Sequence, residues 1–312
     1  MIKKVSGKNG LIELFRFLCS LWVAYYHKFW PVISEYFAGV NVSVDFFFIL
    51  SGFFFLKSMA KYRERPTLEG VRFIFWGRTK RFIVPLVIAA LCILWCNTQL
   101  KLNFGFNFPL SFLWFFVAQF VFLSLFYLIF KKAKSLSTFN IACAIIICIS
   151  MSLFRLKLTG LDIFFRGPAM LAIGMLISQI PQIKINSKDE TKSEKIRLAI
   201  NIVGFTIAAL AFIYLAYLPG YAIWKLHIFT CIVCTSLIYF ANAVPVHSKF
   251  LNFLGEFSVF VYLAQCPILI HYYYGSRNTI EQFPWLCFYA VAFFILNRII
   301  NAIVDKQKSL KQ

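Results

Sequence analysis

Residues 11–30 read LIELFRFLCSLWVAYYHKFW, and the reading of this stretch decides the fold. Twenty residues at about 1.5 Å of rise each just cross a bilayer core of about 30 Å. Yet the segment carries Glu13, Arg16 and His27, groups that a plain anchor avoids. Ionisable groups at membrane depth are costly and face the protein interior or a watery cavity. Arg16 and His27 are 11 residues apart. At about 100° per residue they fall roughly 20° from one another after three turns, on one face and about 16 Å apart along the axis. Glu13, three residues before Arg16, shares that face. One helix thus presents a cation towards one membrane surface and an imidazole towards the other. The plainer alternative places Glu13 and Arg16 in the headgroup layer and His27 in an aromatic belt with Trp22, Tyr25, Tyr26 and Trp30.

The rest of the chain makes a membrane protein of it. Of 312 residues, 61% are hydrophobic, 19% aromatic and only 14% charged, a composition that excludes an ordinary soluble domain. Ten apolar spans follow one another, near 11–30, 41–60, 82–97, 108–130, 138–153, 162–180, 197–217, 221–243, 250–272 and 284–304. With the N-terminus in the cytoplasm, 23 loop cations fall on the cytoplasmic side and five (Lys101, Arg155, Lys157, Lys225 and Arg277) on the other. That asymmetry predicts an all-α polytopic protein of about ten transmembrane helices, with both termini cytoplasmic. It also accounts for the net charge of +20 without a nucleic-acid partner. The chain reads as one membrane domain over 1–312. Its longest polar stretch, 181–196, is expected to be a charged loop, and no internal repeat marks a transporter. The nine cysteines fall in or beside apolar spans and read as packing residues, Cys231 and Cys234 included. No metal site stands out.

Two further stretches carry polar chemistry. In the second span, NVSVDFFFILSGFFFLKSMA, Asp45 precedes Ser51-Gly52 within a run of phenylalanines. Asp45 either orients His27, as a carboxylate orients a base, or caps its helix; both roles are compatible. Gly52 permits close approach of another helix or a ligand. Arg78 and Arg81, three apart, share one helix side just before Pro85, which is expected to kink the third span. Paired guanidinium groups at a helix mouth suit phosphates. A plain positive-inside loop is the alternative.

Taken together, Glu13, Arg16 and His27, then Asp45, Phe46, Phe47, Ser51, Gly52 and Phe53, then Arg78, Arg81 and Pro85, resemble the successive motifs of the membrane-bound acyltransferase family 3. The likeness runs from about residue 10 to residue 270. Leu113-Trp114-Phe115, Arg166 with Gly174, and Leu254-Gly255, Ser258, Tyr262-Leu263 and Pro267 resemble its later segments. Two positions depart from the pattern. Gln119 stands where many members have Glu, and Gln265 where many have His; His271 is a conceivable substitute.

The resemblance implies transfer of an acyl group, usually acetyl, from acyl-CoA to a hydroxyl of a sugar, polysaccharide or glycan precursor. Acetyl-CoA is then a donor substrate and no cofactor is bound. A sugar hydroxyl needs a base near neutral pH, and His27 is the natural candidate, with Asp45 orienting it. Arg78, Arg81 and Arg16 would meet the donor's phosphates. Arg166 either meets the acceptor, stabilises an oxyanion or anchors its helix at the interface. Trp114 and Ser51 complete the candidate substrate-binding set, with Ser51 either an acyl carrier or a helix-contact residue. The implied location is a bacterial inner membrane. Two other classes fit parts of the pattern: a transporter or flippase for a glycan or lipid, and an inactive relative serving as a binding subunit.

Overall fold

The computed structural model describes residues 8–28, 39–80, 82–99, 108–156, 162–183, 190–217, 223–274 and 279–309. Among them every regular element is helical: α1 (Gly10–Lys28), α2 (Gly39–Met59), a 3-10 turn (Ala60–Tyr62), α3 (Thr67–Thr79), α4 (Ile83–Gln99), α5 (Phe108–Lys132), α6 (Leu136–Leu156), α7 (Asp162–Ile177), α8 (Glu190–Tyr217), α9 (Ile223–Ala243), α10 (Lys249–Tyr274) and α11 (Thr279–Ser309). Each apolar stretch read from the sequence falls on one of these helices. Segments of α5, α6, α8, α10 and α11 are long and apolar enough to cross a bilayer, and α2, α4, α7 and α9 carry shorter apolar segments. The outward residues agree. Ile141, Ile145 and Ile149 form one exposed stripe on α6, and Val203, Ile207, Leu210 and Tyr214 another on α8. In water such faces are an association hazard; against lipid they cost nothing. The chain is an integral membrane protein.

Three sequence expectations are corrected. Residues 190–196, expected as loop, form the first turns of α8. Glu194 pairs with Arg197 at 3.9 Å across one turn, and Lys192 and Lys195 are good helix formers. The basic stretch before the third span contains a helix of its own, α3, whose Gly70 lies directly under the Tyr127 ring of α5. Tyr127 Oη donates to Tyr62 O at 2.9 Å, and Lys131 Nζ to Arg65 O at 2.5 Å. Pro85 is the third residue of α4, so the amide it lacks is one that a first turn leaves unpaired anyway.

Two contacts organise the bundle. The first is the crossing of α2 and α7. A Cβ on Gly52 would run into the carbonyl of Leu171, and one on Gly174 into the carbonyl of Ile49. The two backbones touch because both glycines are there, the small-residue device of helix pairs in lipid. α2 also packs against α1, α5, α8 and α9, which explains its unbroken run of buried residues from Val42 to Phe46. Phe46 meets Phe15 and Phe212, and Phe48 meets Trp114 and Phe115, with centroids 4.7–6.3 Å apart. The second contact ties the start of α1, which packs along α10, to the end of α9. Asn9 begins α1, its Oδ1 accepting from the Leu11 amide at 3.0 Å, and its Nδ2 donates at 2.8 Å to both Ala241 O and Val244 O. One side chain thus caps the start of α1 and satisfies carbonyls that the end of α9 leaves open.

Candidate active site

The buried acids, the buried arginine and the buried histidine gather in two places. One lies early in α1. Glu13 Oε2 accepts from Arg16 Nη1 at 2.8 Å across one turn. The carboxylate is buried because Gly255 of α10 has no side chain; a Cβ there would collide with Glu13 Oε2. Arg16 keeps a third of its side chain exposed, so its guanidinium combines a fixed anionic neighbour with open donors. A Gly in α10 opposite Glu13 ties the first motif of the chain to the last.

The other place joins α2, α7 and α9. Asp45 is fully buried. Its Oδ1 accepts from Arg166 Nε at 2.5 Å, and Arg166 is itself 2% exposed at the side chain. Its Oδ2 lies 3.4 Å from His227 Nδ1, also 2% exposed. Each of the three sits within the first two turns of its helix, so three helix starts converge on one carboxylate. An ion pair this deep is strongly directional, since neither charge has water to fall back on. The Phe154 ring of α6 stands edge-on to the imidazole, centroids 5.0 Å apart. The other ring nitrogen, His227 Nε2, is buried and meets no hydrogen-bond partner among the described residues; the same holds for Thr230 Oγ1, one turn along α9.

The structure distributes the remaining sequence candidates as follows. His27 belongs to the last turn of α1 and Arg78 to the last turn of α3, but the side chains of both lie outside the described residues, as does Arg81 entirely. The expected pairing of Asp45 with His27 thus lies outside the described residues; within them Asp45 is engaged by Arg166 and His227. Trp114 is buried against Phe48 and Phe164, both 5.7 Å away between centroids. Ser51 accepts from Gln119 Nε2 at 2.5 Å, so the carboxamide standing in the place of a family Glu ties α5 to α2. The second departure, Gln265, is buried beside Tyr262 on α10, and neither end of its carboxamide has a partner of ordinary geometry among the described residues. His271 lies in α10 with its side chain outside the described residues.

His227 was missed in the sequence. The signal was present: it is one of only four histidines, and it sits inside an apolar run, where an ionisable group calls for a reason. The described cysteines are free. Cys231 Sγ meets Met170 Sδ at 3.3 Å and Cys234 Sγ approaches Val42 O at 3.7 Å, contacts by which α9 packs on α7 and α2.

Over residues 9–300 the chain matches the family model described as an acyltransferase domain. The match reaches into α11 beyond the stretch in which the sequence motifs lie. No curated protein and no solved structure matches it.

Proposed function

Because the chain belongs to acyltransferase family 3, we propose that it transfers an acyl group, acetyl in the first instance, from acyl-CoA to a hydroxyl of a surface polysaccharide or glycan precursor. The observation that carries this reading is the pair of charged stations in a largely apolar bundle. Glu13–Arg16 presents a guanidinium whose side chain is one-third exposed near the start of α1, and Asp45–Arg166–His227 forms a buried centre where three helices begin. A hydroxyl must lose its proton as it attacks a thioester carbon, and the oxyanion formed must be stabilised. A donor with several phosphates needs cations at the face it enters from.

The roles follow. About ten crossings, with both termini in the cytoplasm, put Arg16, Arg78 and Arg81 on the donor's side and the starts of α2, α7 and α9 towards the outer face, in a bacterial inner membrane. Acyl-CoA is bound from the cytoplasm by those arginines. The sequence motif assigns the base to His27, at the end of α1 away from Arg16. Arg166, held by Asp45, is placed to stabilise negative charge on the acyl oxygen. Ser51, engaged by Gln119, serves as a helix contact, and Trp114 shapes the aromatic wall beside Phe48.

Proton NMR of surface glycan tests the reading in cells with the wild-type gene, without it, and with His27→Ala. An acetyl methyl signal confined to the wild type is expected. A signal unchanged in the His27→Ala cells, with the protein in the membrane, removes His27 as the base. Three identical spectra, with no labelled product from acetyl-CoA, remove the glycan reading and leave a flippase or a binding subunit.

A further inference from the structure

We infer that the outward ridge of α3 is a binding site for an anionic phospholipid, with Arg72 taking the headgroup phosphate and Trp76 lying against the acyl chains. This surface lies outside the acyl-transfer site and stands without that reading.

The packing of α3 on α5 makes the surface. Lys131 Nζ, at the end of α5, donates to Arg65 O at 2.5 Å and to Thr67 Oγ1 at 3.0 Å. Gly70 lies under the Tyr127 ring, and the centroids of Phe75 and Phe120 are 5.2 Å apart. Numbers rise along α3 as they fall along α5, so α3 runs antiparallel to α5, inward from its cationic end. Gly70 and Ile74 are buried and fix the inner side of α3. The other side is open. Leu68, Arg72 and Trp76 are spaced four apart, which sets them in one ridge, and all three are exposed. Phe75 flanks the ridge and is exposed too. The neighbouring stripe on α5 is Val117, Val121, Leu125 and Leu128, also exposed. Because α5 is long and apolar enough to cross a bilayer, the two stripes form one lipid-facing surface.

Arg72 is the exception on that surface. No side chain pairs with it among the described residues. The one acid of α3, Glu69, is held by Arg65 at 3.4 Å. A cation that faces lipid needs a counter-ion, and lipid supplies it as phosphate. The depth agrees. Arg72 lies five residues beyond Thr67, about 8 Å along the axis, and a headgroup layer is about 5–8 Å thick. A long side chain reaches its phosphate from there by snorkelling. Trp76, one turn deeper, falls where interfacial aromatic residues collect. The surrounding charge then selects among lipids. Residues 57–81 hold eight cations against two acids, Glu64 and Glu69. That field attracts a headgroup of net negative charge, whereas a zwitterionic headgroup brings its own ammonium into it.

The test counts lipid on the whole chain. Wild type, Arg72→Gln, Arg72→Lys and Lys195→Gln are placed in nanodiscs of phosphatidylglycerol and phosphatidylcholine in equal amounts. After extraction into mild detergent, native mass spectrometry counts the lipids that each chain retains. The wild type is expected to retain phosphatidylglycerol over phosphatidylcholine. Arg72→Gln should lower the retained phosphatidylglycerol about fivefold at this site and leave phosphatidylcholine unchanged. Arg72→Lys should restore most of it, and Lys195→Gln, an exposed cation of α8, should change nothing. Equal retention by wild type and Arg72→Gln overturns the inference. Equal losses in Arg72→Gln and Lys195→Gln reveal a diffuse field with no site, and overturn it as well. Excess CoA, which offers phosphates without acyl chains in the bilayer, should leave the count unchanged; displacement of phosphatidylglycerol assigns the ridge to the donor and overturns the lipid site. If the Gln chain does not insert, Arg72→Ala carries the same comparison. Failure of both to insert assigns Arg72 to stability and overturns the proposal.

Discussion

Arg166→Met should be among the most damaging single changes to this fold, and Asp45→Asn should partly undo it. Both side chains are buried to 2% exposure or less, and the pair is joined at 2.5 Å. Removing one member of such a pair strands the other's charge and costs about 3–5 kcal/mol. With Met at 166, Asp45 is left facing His227 at 3.4 Å, a contact too long to replace a guanidinium. With Asn at 45, the guanidinium of Arg166 loses its counter-ion. Removing both charges strands neither, so the double variant should cost less than either single change. The assay is denaturant unfolding of the four chains in lipid–detergent bicelles, read by the intrinsic fluorescence of the tryptophans. Costs of the two single variants that simply add in the double, to within about 0.5 kcal/mol, would refute the view that Asp45 and Arg166 are one buried unit.

The other predictions concern packing and the donor. Gly174→Leu forces a side chain into the Ile49 carbonyl and should abolish folded protein in the membrane, whereas Gly77→Leu, whose added Cβ meets only the half-buried Phe73 ring of its own helix at 3.1 Å, should be recovered near wild-type yield by fluorescence size exclusion. Ser51→Ala removes the acceptor of the Gln119 bond; it should cost about 1 kcal/mol of stability and leave transfer within about threefold, while loss of transfer in a folded chain would make Ser51 an acyl carrier. Arg78→Ala and Arg81→Ala should each raise the Michaelis constant for acetyl-CoA with little change in turnover, since a charge-assisted contact to phosphate contributes about 1.5–3 kcal/mol; an unchanged donor dependence would place the donor elsewhere.

Much of the architecture is legible in the sequence because each span must satisfy its backbone internally, and lipid leaves the helix as the one answer for an apolar run. The errors fall where that rule is silent. α3 is short and mixed in polarity, so its charges read as loop although Gly70 and Tyr127 lock it to α5. The site was legible in its members more than in its connections. Asp45 and Arg166 were each singled out, yet 121 residues separate them and 182 separate Asp45 from His227. Helical spacing says which residues share a face of one helix; it does not say which helices meet. That is decided by the glycines at the crossing of α2 and α7, a pair whose partnership shows only in three dimensions. Gly255 is the same case: a motif glycine in sequence, a niche for the Glu13 carboxylate in space.

The central claim, that this bundle moves an acyl group from a thioester to a hydroxyl, is tested most directly by labelled acetyl-CoA added to membrane vesicles with and without the chain. The account predicts label in an alkali-labile ester, one CoA thiol released for each ester formed, only where the chain is present. Equal label and equal thiol release in both sets of vesicles would contradict it.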